Sequence, residues 1–260
     1  MDTLALKLVL TPALIGTASL AGRRWGPAVS GWLVGLPLTS APVAFFLALN
    51  EGVDFAATAA AGTMAGTISQ AAFCVAYGWL AFRGGRLLAV AAGCLAFALA
   101  TVALERLTLA LLPLFLTVVA GLVAALRVMP GGVAGRSPAT GPRPRWDIPT
   151  RMVVATAFVL LLTGAARGLG PRLTGLLAPF PVYAAILATF AHRLEGPGSA
   201  ARVLRGLLLG LFAFAGFFLV LAALLPRAGI APAFAAATGL ALALQAASLW
   251  ALRRADPGAR

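Results

Sequence analysis

Uncharged stretches long enough to cross a lipid bilayer follow one another along almost the whole chain, at residues 26–50, 55–82, 206–226 and 228–252 among others. Each is near or above the ~20 residues that a helix needs to span hydrocarbon. A segment at that depth has no water to satisfy its N–H and C=O groups, and a helix satisfies them within itself. Apolar residues make up 61% of the chain and charged residues 10%, and the mean hydropathy is +0.98. No soluble domain has such a composition. The expectation is therefore an all-α integral membrane protein with no polar stretch long enough for a separate soluble domain.

Nine transmembrane helices are predicted, at 4–22, 27–49, 55–82, 86–104, 107–127, 150–166, 172–192, 203–226 and 230–252. Lys7 ahead of an apolar run and the small residues of "SLAG" could pass for a cleaved leader. The first span has a counterpart later in the chain, so it is read as a helix of the mature fold.

That counterpart emerges when residues 7–85 are laid on 151–229 at a constant offset of 144. No gap is needed, and 23 of 79 positions are identical, where composition alone would give ~10. The matches include punctuation residues: Gly26 with Gly170, Pro27 with Pro171, Gly31 with Gly175, Pro37 with Pro181, and Glu51-Gly52 with Glu195-Gly196. Gly62 and Gly66 fall on Gly206 and Gly210. The chain divides accordingly into a first four-helix repeat (1–106), a linker transmembrane helix (107–127), a Gly/Pro/Arg-rich loop expected in the cytoplasm (128–149) and a second four-helix repeat (150–254).

One helix between two four-helix units turns the second unit upside down. Charge gives an independent reason for that orientation, because Lys and Arg concentrate on the cytoplasmic side. With the amino terminus outside and the carboxyl terminus cytoplasmic, 15 of the 20 basic residues lie inside. The outer face keeps Lys7, Arg106, Arg167, Arg172 and Arg227, together with Asp2, Glu51, Asp54 and Glu105. The net charge of +13 is accounted for by orientation and lipid headgroups, so no nucleic-acid partner is expected. The expected location is a bacterial-type inner (plasma) membrane, multi-pass.

Inverted repeats with discontinuous helices are the architecture of many secondary transporters, whose sites lie near the midplane. Pro37 and Pro181 occupy equivalent places within the second and seventh spans. A proline there removes a backbone hydrogen bond and clashes with the preceding turn, so "GLPLTSAP" and "APFPVY" are expected to kink or unwind. Ser30, Thr39 and Ser40 in the second span and Thr174, Tyr183 and Thr189 in the seventh are polar neighbours, although hydroxyls in membrane helices also simply satisfy freed carbonyls. The candidate substrate-binding residues are Pro37, Thr39, Ser40, Gln70, Pro181, Tyr183 and Gln245. For Gln70 and Gln245, a helix–helix hydrogen bond is the competing role. Glu51, His192 and Glu195 are candidate gate residues at span ends, where solvation or interfacial anchoring would also place them. Gly62-x-x-x-Gly66 and Gly206-x-x-x-Gly210 let helix backbones approach closely. They are expected to pack against the broken spans, and the same spacing would also serve a homodimer.

One histidine and two cysteines, Cys74 and Cys94, offer neither a metal cluster nor a nucleophile–base pair. The chain has no nucleotide-binding glycine loop. No enzyme activity, cofactor or metal is expected.

Residues 174–196, "TGLLAPFPVYAAILATFAHRLEG", resemble the signature region of GlpM-like small membrane proteins. There a Gly-Leu pair, here Gly175-Leu176, precedes a Phe-Pro step, here Phe180-Pro181, and an apolar helix with a histidine near its end, here His192. The first repeat departs from that pattern, with Leu36-Pro37 for the Phe-Pro step and Ala48 in place of the histidine. The resemblance implies two four-helix units fused head to tail and a link to exopolysaccharide production. Two functions follow as expectations. One is a transporter or flippase for a polar or amphiphilic solute, an anionic one included. The other is a non-transporting scaffold subunit for envelope or exopolysaccharide biosynthesis. Partners would be a small-molecule or lipid-like substrate and the membrane lipids.

Overall fold

The computed structural model describes residues 3–25, 37–130 and 147–255. Among them there are helices and no strands: α1 Thr3–Trp25, α2 Ser40–Asn50, α3 Val53–Ala81, α4 Arg86–Glu105, α5 Leu111–Val128, α6 Asp147–Leu177, α7 Val182–Glu195, α8 Pro197–Ala228 and α9 Ile230–Ala255. Six apolar segments among the described residues are long enough to cross a membrane: α3, α4, α5, Met152–Leu177 within α6, α8 and Ile230–Ala247 within α9. The protein is thus a multi-pass helical membrane protein. Most of the expected loop at 128–149, and the first half of the expected second span, lie outside the described residues.

Two helices, α3 and α8, form the buried centre and pack against each other. Phe46, Phe73, Tyr77, Leu176, Leu208, Phe218 and Leu221 are fully enclosed around them. By contrast α4, α5 and α9 lie outside with most of their surface uncovered. Leu87 on α4 is 77% exposed and Leu161 on α6 is 74% exposed. Apolar side chains displayed in such density suit lipid and would not suit water. Between α3 and α4 the apolar packing is supplemented by one polar link, Thr101 Oγ1 donating to Ser69 Oγ at 2.9 Å. Hydroxyl bonds of this kind join helices where the hydrophobic effect no longer does.

The helix boundaries follow glycine and proline. Gly52 (φ 93°) and Gly196 (φ 90°) hold a left-handed conformation between α2 and α3 and between α7 and α8. A side chain at either place would strain the backbone. Pro197 opens α8, where its missing N–H costs nothing, so α8 begins six residues before the expected 203. The expected boundary between the spans ending near 166 and starting near 172 is a kink at Gly170 (φ 76°, ψ 165°), where one helix ends and Pro171 starts the next without a loop. A further interruption follows at 178–181, where Pro181 precedes α7.

Helix directions can be read from residue pairs. Lys7 meets Thr163 and Gly16 meets Met152, so α1 and the first part of α6 are antiparallel. Along α3, Gly62 faces Arg172 and Gly175 while Gly66 faces Leu176 and Pro179. Tyr77 then reaches His192, so α3 runs parallel to the whole interrupted segment 171–195.

Candidate functional site

The interrupted segment 171–195 is seated on the glycine stripe of α3. A Cβ on Gly62 would lie 2.7 Å from the Arg172 carbonyl oxygen, and one on Gly66 would lie 2.6 Å from that of Leu176 and 2.7 Å from Pro179 Cγ. From the other side, a Cβ on Gly175 would run into the Ala59 carbonyl. Only glycine permits backbones to approach this closely. Gly62 and Gly66 are therefore committed to a contact within the chain and are not free for the homodimer face considered from the sequence. Their counterparts differ: Gly206 is exposed with open space around it, and Gly210 is buried.

Beyond this seat the backbone turns at 178–181. Phe180 N–H donates to the Leu177 carbonyl at 3.0 Å, and Val182 N–H to the Phe180 carbonyl at 2.8 Å. These local turns replace the helical bonds that Pro179 and Pro181 cannot make. The Ala178 carbonyl takes its partner from elsewhere, accepting a hydrogen bond of 2.9 Å from Ser40 Oγ. Ser40 opens α2, just after the turn at Pro37–Thr39. The start of α2, just after Pro37, thus touches the break at 178–181 through the Ser40 hydroxyl and the freed Ala178 carbonyl. Pro37, Ser40, Ala178 and Pro181 are all buried.

One turn along α3 from Gly66 stands Gln70, on the stripe that holds the break. Its side chain is 7% exposed, and its Oε1 has no hydrogen-bond partner. A buried amide oxygen without a donor costs free energy of about 1–3 kcal/mol. Among the described residues it shares that state only with Thr11 Oγ1. Thr39 is half-buried and makes no capping bond at the start of α2. Thr174 is spent on the Gly170 carbonyl at 2.7 Å. Gln245 is buried on α9. Ser30 and the side chain of Tyr183 lie outside the described residues.

The proposed gate residues fall at opposite ends of α3. At one end Arg167 Nε shares its proton between the two carboxylate oxygens of Glu51, at 2.9 and 3.1 Å. Nearby, Arg172 donates to the Leu104 and Leu107 carbonyls at the end of α4. A cation is favoured at that helix terminus. At the other end His192 Nδ1 lies 3.5 Å from the hydroxyl of the fully buried Tyr77, which also bonds Thr189. The side chain of Glu195 lies outside the described residues. Gly52 and Tyr77, which mark the two ends, are separated by about 25 residues of helix, or roughly 37 Å at 1.5 Å per residue.

Lys7 is the functional-looking residue that the sequence reading left on the outer face as an orienting charge. It is 8% exposed, donates to Thr163 Oγ1 at 2.9 Å and lies 5.5 Å from the centre of the Phe46 ring. A side chain read from the sequence as an orienting charge is thus enclosed by the fold. Contacts with α2 and α6, remote in sequence, cover a lysine near the start of α1. Cys74 is buried and Cys94 partly so, and among the described residues no three His, Cys, Asp or Glu side chains gather.

Compared with family models, curated proteins and solved structures, the chain matches none. The resemblance of residues 174–196 to GlpM-like proteins rests on those residues alone.

Proposed function

We propose that the protein is a small inverted-repeat transporter or flippase, passing a polar or amphiphilic solute between its two proline-broken spans near the bilayer midplane. The observation that carries this reading is the Ser40–Ala178 hydrogen bond, which joins the start of α2 just after Pro37 to the break at 178–181. A carrier needs irregular backbone at that depth, because freed peptide groups are what bind a solute there.

Repeat symmetry is supported by pairs of elements separated by 144 residues. Gly52 and Gly196 share one backbone conformation, and they precede helices that begin at Val53 and Pro197. α1 and the start of α6, which correspond by the same offset, are antiparallel, as inversion requires. The solute site comprises Ser40, the 178–181 backbone and Gln70, with Thr39 and Tyr183 beside it. Gln70 Oε1 is an acceptor awaiting a donor. Glu51 with Arg167 closes one end and His192 with Tyr77 the other, as gates on opposite faces of a bacterial-type inner membrane.

The test is flux in liposomes containing the purified chain, scored with fluorescent phospholipid scrambling and with uptake of labelled anionic and zwitterionic solutes. Pro37→Ala and Pro181→Ala are expected to abolish flux while the proteins remain folded in detergent. Unchanged flux in both variants would overturn the role of the breaks. Absence of flux for every class, with stable recovery of an envelope-biosynthesis complex, would favour the scaffold.

A further inference from the structure

We infer that Lys7 is the centre of a buried anion-binding subsite, built from Lys7, Thr11 and Thr163 and covered by the Glu51–Arg167 ion pair. It takes an oxyanion, a phosphate or carboxylate group. The occupant's identity as the transported solute rests on the reading above; the subsite itself does not.

Three observations converge. First, the Lys7 ammonium is enclosed, and of its three N–H donors one reaches Thr163 Oγ1 at 2.9 Å. Thr163 is the acceptor found for it among the described residues, and the Glu51 carboxylate lies near enough to act on its charge. The face of Phe46 lies 5.5 Å away and offsets part of the desolvation, but a buried cation is stable only when paired and hydrogen-bonded. The nearby carboxylate, Glu51, has both oxygens engaged by Arg167. Second, Thr11 stands one turn along the same face of α1. It is fully buried, and its Oγ1 has no partner. A threonine in a helix ordinarily returns its hydroxyl to the carbonyl four residues back, as Thr17, Thr58, Thr63, Thr117 and Thr163 do here. A free hydroxyl on the Lys7 face of α1 supplies a further donor to an oxyanion. Third, Arg167 follows Thr163 by one turn and Glu51 follows Phe46 by five residues, so the ion pair sits just outside the Lys7 contacts. The Arg167 side chain is 79% exposed and that of Glu51 13%, so the pair lies between the subsite and the surface.

The offset of 144 adds a sequence argument. It places Arg151 at the position of Lys7, Ser19 at that of Thr163, Arg23 at that of Arg167 and Glu195 at that of Glu51. The cation, the Thr163 hydroxyl and the residue types of the ion pair recur in the sequence, while Thr11 falls on Ala155.

The experiment is equilibrium binding to the purified full chain in neutral detergent, read by thermal unfolding against inorganic phosphate, with chloride at matched ionic strength as control. Wild type should be stabilised by phosphate and not by chloride. Lys7→Met, which keeps the length and fills the apolar surroundings, should weaken the apparent affinity about tenfold or more, the worth of a charge-assisted bond. Lys7→Arg should restore part of it, and Thr11→Val should weaken it by a smaller factor. A parallel arm places the protein in nanodiscs of phosphatidylcholine with or without phosphatidylglycerol. Stabilisation by the anionic lipid alone, lost in Lys7→Met, assigns the subsite to a headgroup; stabilisation by phosphate assigns it to a free anion. Equal response of wild type, Lys7→Met and Thr11→Val in both arms overturns the proposal. Binding that depends on Lys7 in a protein without flux would leave the subsite standing and remove the transport reading. Flux with Lys7-independent binding would do the reverse.

Discussion

Gly62 and Gly206 are equivalent by the 144-residue offset, yet alanine should be punished at one and welcomed at the other. Both lie inside helices, so each substitution gains about 1 kcal/mol of helix propensity. At Gly62 the new Cβ would lie 2.7 Å from the Arg172 carbonyl oxygen, 3.2 Å from Gly175 Cα and 3.3 Å from Leu176 N, all of them backbone atoms. The shortest falls about 0.7 Å inside the 3.4 Å at which ordinary contact begins. No side chain can rotate away, so the 171–177 segment must lift off α3. Overpacking of this kind costs about 1–3 kcal/mol. At Gly206 nothing lies within 4 Å. Because the propensity gain is common to both, the difference between the variants isolates the packing cost: Gly62→Ala should be about 1–3 kcal/mol less stable than Gly206→Ala. Thermal unfolding in detergent, followed by the loss of the monodisperse chromatographic peak, measures the order. A Gly62→Ala protein as stable as Gly206→Ala would refute the close seat of the broken segment on α3.

Removing the Ser40 hydroxyl strands the buried Ala178 carbonyl, so Ser40→Ala should cost about 1–3 kcal/mol in the same unfolding assay and should reduce flux, whereas Ser40→Thr retains the oxygen. In a background without Cys74 and Cys94, the pair Gly16→Cys/Met152→Cys should cross-link with a short bifunctional reagent. Gly16→Cys/Thr163→Cys should not, because the antiparallel register places Thr163 beside Lys7. Tyr77→Phe removes the hydroxyl that reaches Thr189 and His192 and should destabilise the end of α7 by about 1 kcal/mol, seen as faster hydrogen exchange at 189–195.

The class of the protein was legible from uncharged length alone, since a run such as 55–82 admits only a spanning helix. The seat on α3 was legible as well, because Gly62 and Gly66 stand one turn apart and require a close partner. The sequence could not say that Gly206 would stay exposed. Its spacing equals that of Gly62, and the difference lies in what the tertiary fold brings against it. The late break at 178–181 was announced by Pro181. The boundary near 166–172 was announced by Gly170 and Pro171, which the chain uses to end one helix and start the next without a loop. Lys7 was misjudged for a different reason. Near a chain terminus a lysine reads as an orienting charge, and its burial comes from Thr163, 156 residues away. Nothing local to α1 encodes that contact. The Glu51–Arg167 pair, 116 residues apart, was invisible on the same grounds. The matched arginines at 23 and 167 were the one available signal.

Inversion of the two repeats underlies the whole account, and sidedness measures it directly. Gly52 and Gly196 are poor reporters because their positive φ strains any side chain. Asp54 and Gly198 are better placed, as the second residues of α3 and α8, and they are equivalent by the offset of 144. Single cysteines at these positions, without Cys74 and Cys94, would be labelled in intact cells with a membrane-impermeant maleimide. The account predicts that Asp54→Cys labels from outside and Gly198→Cys labels only after the membrane is permeabilised. Labelling of both from the same side would mean that the repeats are parallel, and the carrier built on their inversion would be wrong.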